Sequence, residues 1–340
     1  MKKIVALLVA CMMVLSLAAC GQKKADTKNF DVIYLTPSTE SNFWTQVGTG
    51  MEQAKKDLEA ELGITVNYSI VGPAGEQDTE EYITAFENAI AQNPAAIVTA
   101  TLAIDPTVPK AQEATKAGIV LNFVNCGLGV GDDGAHADAY NEFYFCSNDT
   151  IGEMAGQAFE EALKAKGIES GVIGINMNVE NEALNHRIQA FRDYISAKLP
   201  AFEMTETYYN GNDAEVSQQN AENMIASYGS DLVGMYSGNN ITCDGVCQAI
   251  QAAGLGDKFV AVGVDSDDIE IEALRNGYLD AIIVQDAFQQ GYDCMKNAIL
   301  TVVNGKNPES AQAINCPPTI VTPANIDSED IQFMMDPKLK

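Results

Sequence analysis

The sequence predicts an α/β protein built as two doubly wound parallel-sheet domains. Three observations predict it. Short β-rich apolar runs alternate with longer segments of helical period, the alternation runs through the chain twice, and 340 residues with 46% apolar side chains suffice for two cores. In the first pass Asp31–Thr36 reads as a strand and Phe43–Leu62 as a helix, with Val47, Met51, Ala54 and Leu58 at three- and four-residue spacing. Strand 65–71, helix 79–92 with Tyr82, Ile83, Phe86 and Ile90 on one face, strand 95–100, helix 108–117 and strands 119–124 and 143–147 complete it. The second pass runs helix 151–166, strand 172–177, helix 183–199, strand 203–209, helix 215–228 and strand 232–237. Helix 241–253, strand 259–264, helix 269–276, strand 281–284 and helix 287–303 follow. Each strand with its return helix is a right-handed βαβ step, which makes the sheets parallel and places ligand sites beyond the carboxyl ends of the strands, facing a cleft.

Charge removes several function classes. Lys and Arg total 20 against 47 Asp and Glu, a net charge of −27 that repels nucleic acid and anionic membrane surfaces. A composition with only 20% charged residues also excludes a disordered chain.

The N-terminus reads as a targeting segment. Lys2 and Lys3 precede an apolar run from Ile4 to Ala19 that is short for a bilayer span and ends in small residues, as a signal peptide does. Leu17-Ala18-Ala19-Cys20-Gly21 resembles the lipobox of bacterial lipoproteins, which implies acylation of Cys20, removal of residues 1–19 and a polar tether over 20–29. The expected location is the extracytoplasmic face of the cell membrane. Cys126, Cys146, Cys243, Cys247, Cys294 and Cys316 remain. Cys243 and Cys247 lie four apart on a helix, where disulfide geometry is poor, and the spacing fits no zinc pattern, so free buried thiols and no metal are expected.

The residues after the strands resemble those of the ribose-binding branch of the type I periplasmic sugar-binding proteins over nearly the whole mature chain. In Thr36-Pro37-Ser38-Thr39-Glu40-Ser41-Asn42-Phe43-Trp44, the last two match paired aromatics that sandwich a sugar ring, with Ser41 beside them. Thr101 stands where the family often has asparagine. Asn125-Cys126 stands where ribose binders carry aspartate and arginine, which moves the pocket away from ribose. Cys146-Ser147-Asn148-Asp149 matches the first crossover between lobes. Asn185-His186-Arg187 resembles the helix motif whose arginine reaches sugar hydroxyls, a role for which the guanidinium fork suits vicinal oxygens. Asn239 in Tyr236-Ser237-Gly238-Asn239-Asn240, Asp265 in Val262-Gly263-Val264-Asp265 and Gln285 at the second crossover complete the polar set, and Asn212 replaces a further aromatic.

The resemblance implies two lobes joined by a three-crossover hinge, with residues 30–147 and 286–315 forming the first and residues 148–285 and 316–330 the second. It also implies a monomeric solute receptor that delivers a sugar or polyol to an ABC transporter permease. A sensor presenting occupancy to a chemoreceptor or membrane kinase is the alternative. One acid, Asp265, beside one arginine suggests a near-neutral ligand. No cofactor and no catalytic residue are indicated: Gly129-x-Gly131-x-x-Gly134 follows a strand but Asp132 and Asp133 would repel a pyrophosphate, and neither His136 nor His186 stands beside a positioned nucleophile. A carbohydrate hydrolase needs a placed carboxylate pair, and the sequence places only one.

Overall fold

The computed structural model describes residues 28–129, 135–180, 182–305 and 312–339. The signal peptide, Cys20, all but the end of the tether, and Gly131 to Gly134 lie outside them.

The chain builds two six-stranded sheets. The first uses β1 (Asn29–Leu35), β2 (Thr65–Val71), β3 (Ala96–Thr99), β4 (Val120–Val124), β5 (Glu142–Phe145) and β11 (Gln312–Asn315), in the order β2-β1-β3-β4-β5-β11. The second uses β6 (Gly171–Met177), β7 (Phe202–Tyr209), β8 (Leu232–Ser237), β9 (Val260–Val264), β10 (Ala281–Val284) and β12 (Thr319–Val321), in the order β7-β6-β8-β9-β10-β12. The two orders are the same doubly wound pattern, with the winding reversing beside β1 in one sheet and β6 in the other.

Helices cover both faces of each sheet. In the first domain these are α1 (Asn42–Leu62), α2 (Thr79–Ala91) and α3 (Ile104–Lys116), and in the second α4 (Asn148–Lys166), α5 (Glu182–Lys198), α6 (Ala214–Tyr228), α7 (Asn240–Ala253) and α8 (Asp268–Arg275). The chain then returns as α9 (Ala287–Asn304), which packs on α1 against the first sheet, and ends in α10 (Glu329–Met335). Burial follows from this layering. All four residues of β3 and all five of β4 and β9 are buried, as strands covered on both faces require, and apart from Thr99 and Asn122 their sequences are apolar rather than alternating.

The chain passes between the sheets three times, at Cys146-Ser147, at Gln285-Asp286 and at Cys316 to Pro318. The last passage modifies the expectation of parallel sheets, because β12 pairs antiparallel with β10, Val284 facing Thr319. Its cause is the short link: β11 ends at the cleft, so a chain crossing directly enters the second sheet at its cleft end and must run the other way.

Three elements depart from the sequence expectation. α3 begins at Ile104 rather than 108, because Pro106 sits in the first turn, where backbone N–H groups have no helical partner to lose. β11 and α10 were not expected at all; each is short, and β11 has only Ala313 and Ile314 as an apolar signal.

The α1–α9 contact is closer than side chains allow. A Cβ at Gly50 would stand 2.0 Å from the Phe288 carbonyl oxygen, and one at Gly291 would stand 2.1 Å from that of Val47. The returning helix is thus fixed to the first domain by backbone-to-backbone packing.

Candidate functional site: a polar cleft between the two sheets

A cavity of about 120 Å³ lies where the carboxyl ends of both sheets meet. Its walls include Phe43, Trp44, Thr101, Asn125, Arg187, Asn212, Asn239, Asp265 and Gln285, nine of the ten binding residues expected from the sequence. Ser41 is not among them. It precedes α1, where its N–H donates to Ser38 Oγ at 3.1 Å and its carbonyl accepts from Thr45 N at 3.1 Å.

Phe43 and Trp44 meet edge to face, centroids 4.9 Å apart and planes at 87°. The two rings touch each other and together wall the cavity from one side. Trp44 is held by its indole N–H, which donates to Glu76 Oε1 at 2.6 Å.

Polar side chains bridge the two domains. Asn125, after β4, donates from Nδ2 to Gln285 Oε1 at 2.9 Å, and Gln285 donates from Nε2 to Asp265 Oδ1, after β9, also at 2.9 Å. One crossover residue thereby ties the carboxyl end of a strand in each sheet to the other. Further out, Asn42 Nδ2 donates to Asp267 Oδ1 at 3.0 Å and Gln46 Nε2 to the Met335 carbonyl at 2.9 Å.

The backbone at this rim is unusual. Asn125, Asn212 and Asp265 follow β4, β7 and β9 with φ of 63°, 68° and 80°. Asn and Asp tolerate this left-handed region better than other side chains, and such residues cluster where geometry serves a site. At Asn125 the turn is tight enough for Cys126 N to reach the Val124 carbonyl at 2.8 Å.

Arg187 is buried on α5, with Nε donating to Asn148 Oδ1 at 2.9 Å and Nη1 to the Gly238 carbonyl at 2.6 Å. Asn239 has a structural duty beside its place in the wall: its Oδ1 caps α7 by accepting from Thr242 N at 3.3 Å. Two buried polar atoms in the wall, Thr101 Oγ1 and Asn178 Oδ1, have no hydrogen-bond partner among the described residues. Such atoms cost about 1–3 kcal/mol each unless something satisfies them.

Glu76, Asn178 and Asn240, not expected from the sequence as binding residues, also line the cavity, as does Cys126 of the Asn125-Cys126 pair. Glu76 follows β2, so the rule of inspecting post-strand residues pointed to its loop. With Glu76 the wall carries two carboxyls beside one guanidinium, where the sequence placed one acid. Burial raises the pKa of both Asp265 and Glu76, with Arg187 drawing each back down. Burial also pushes the Cys126 thiol up to about 12, leaving it a neutral wall residue.

A family model described as a periplasmic binding protein domain matches residues 32–307. The chain belongs to the periplasmic binding protein family. The D-apiose import binding protein of Actinobacillus succinogenes is 24% identical over 91% of this chain and 94% of the relative. Among solved structures, a carbohydrate transporter solute binding protein from Agrobacterium radiobacter in complex with D-arabinose superposes with a TM-score of 0.80 at 28% identity, over 91% of this chain and 99% of that one. An ABC transporter solute binding protein from Agrobacterium vitis with bound D-fucose gives 0.77 at 25%, over 89% and 98%. The family is one of binding proteins rather than enzymes.

Elsewhere, no group of three or more His, Cys, Asp or Glu among the described residues is placed to hold a metal. No helix among them is long and apolar enough to cross a membrane. Cys243 and Cys247 are free, with sulfurs 3.9 Å apart, and the other four cysteines after Cys20 are free as well. His186 lies outside the cavity, its Nδ1 3.1 Å from Asp149 Oδ1.

Proposed function

We propose that the chain is a lipid-anchored, extracytoplasmic solute receptor that captures a sugar or polyol between its lobes and delivers it to an ABC importer. The observation that carries this reading is the composition of one cavity walled from both sheets: two aromatic rings on one side, and a ring of amides, carboxyls and one guanidinium on the others. Apolar C–H faces of a sugar pack on Phe43 and Trp44, while its hydroxyls donate to Asp265 and Asn178 and accept from Arg187 and Thr101. The relatives named for apiose, arabinose and fucose support the ligand class, and the relative named for import supports delivery to a transporter.

Capture works by closure of the lobes 30–147 with 286–315 and 148–285 with 316–330 about the three crossovers. Parting them breaks the Asn125–Gln285–Asp265 chain and the Asn42–Asp267 contact. A ligand that bonds to both lobes holds the closed form, and the joined rim then docks as one surface on the permease. Cys20 supplies the anchor that keeps a monomeric receptor near its transporter.

Thermal-shift screening against monosaccharides, cyclitols, linear polyols and nucleosides tests the ligand class. A saturable rise in Tm with one group of sugars or polyols supports it, and no shift across the panel sinks it. Cys20→Ser tests the anchor by moving the protein from the membrane to the soluble fraction.

A further inference from the structure

We propose that the ligand of this cleft is an aminated polyol, an amino sugar or aminocyclitol, whose ammonium group sits against Glu76. The inference rests on the reading of the cleft as a polyol site and narrows it.

Among the described lining residues, Glu76 and Asp265 bear carboxyls and Arg187 is the one cation. The two bonds Arg187 makes go to neutral oxygens, Asn148 Oδ1 and the Gly238 carbonyl, so its hydrogen bonds leave both carboxyls free to meet a ligand. Asp267, which accepts from Asn42 and Asn240 beside the cavity, adds a third acid at the rim. A neutral polyol enclosed here leaves one buried carboxylate without a compensating charge, which is costly away from water.

Hydrogen-bond capacity points the same way. A carboxylate offers about four acceptor sites, and the structure uses those of Glu76 for Trp44 Nε1 and those of Asp265 for the Gln285 amide and the Asn240 backbone, which leaves acceptors to spare on both. Asn178 Oδ1, on a residue only 2% exposed, is a further acceptor with no partner among the described residues. The wall is therefore rich in acceptors. A hydroxyl supplies one donor; an ammonium supplies three together with the missing positive charge. Burial raises the pKa of Glu76 and of Asp265, and an ammonium beside them opposes that push.

Calorimetry of the full chain against matched pairs provides the test: glucose with glucosamine, galactose with galactosamine, and a cyclitol with its amino derivative. The expected result is one pair whose amino member binds at least about tenfold more tightly than its parent. In Glu76→Gln, which keeps an acceptor for Trp44, the ratio of amine to parent affinity falls towards one whatever happens to the parent's own affinity. Parents that bind as tightly as their amines in every pair overturn this inference and leave the polyol reading standing. Silence from every pair overturns both.

Discussion

Arg187 and Asn125 show how single residues set the site. Arg187 is a buried cation whose guanidinium ties α5 to Asn148 and Gly238 at the two edges of the cleft. Arg187→Ala removes a ligand donor and leaves those oxygens unpaired, so calorimetry should record a loss of more than tenfold in ligand affinity, about 1.4 kcal/mol. At Asn125 the question is backbone. With φ at 63°, alanine is strained by about 1–2 kcal/mol where glycine is not, so Asn125→Gly should be more stable than Asn125→Ala by about that amount in denaturant titration, although both lose the bond to Gln285. Asn125, Arg187, Asp265 and Gln285 were legible in the sequence because each lies beside a cleft-facing strand end or in a recognisable motif. Glu76 and Asn178 also follow strands, β2 and β6, but neither stands in a recognisable motif, and they join the site through Trp44's indole N–H and the approach of the two sheets.

Elements carry the site by how closely they pack. α4 and α5 touch at Gly152, where a Cβ would stand 2.1 Å from the carbonyl oxygen of Arg187 itself. Gly152→Ala must therefore push α5 away from α4, and overpacking of this kind costs about 1–3 kcal/mol. The expected outcome is a lowered Tm together with weaker ligand binding, since the displaced backbone is the one bearing the arginine; a lowered Tm with unchanged affinity would show that α5 does not position it. The strand–helix rhythm was readable because β3, β4 and β9 are buried on both faces and so apolar except at Thr99 and Asn122. β12 runs against its neighbour for a topological reason, the direct link from β11, and no residue pattern encodes that direction. α3 hid its true start behind Pro106, which punctuates a sequence but is harmless in a first turn.

For the molecule as a whole, the surplus of acid has a consequence for stability. Asp244 is raised to about 7 by burial and by the nearby Asp267 and Asp268, and burial raises Glu270 and Asp286 too. In the unfolded chain a carboxyl titrates near about 4, so between that pH and about 7 the folded state holds a proton that the unfolded state has released. That contribution is complete below the unfolded value and is lost as pH rises through the folded one. Denaturant midpoints should accordingly fall from about pH 5 to about pH 8, and Asp244→Asn should flatten the fall. The same acidity reaches into the cleft through Glu76 and Asp265, which is where a reading of net charge alone gave no guidance. The most direct measurement is a crystal structure of the protein grown with the strongest binder from the panel. The account predicts one molecule between the sheets, its ring against Phe43 and Trp44 and its polar groups on Arg187, Asp265 and Glu76. Density for that molecule elsewhere, such as the groove between α4 and α5 beside His186, with the cleft unchanged, would contradict it.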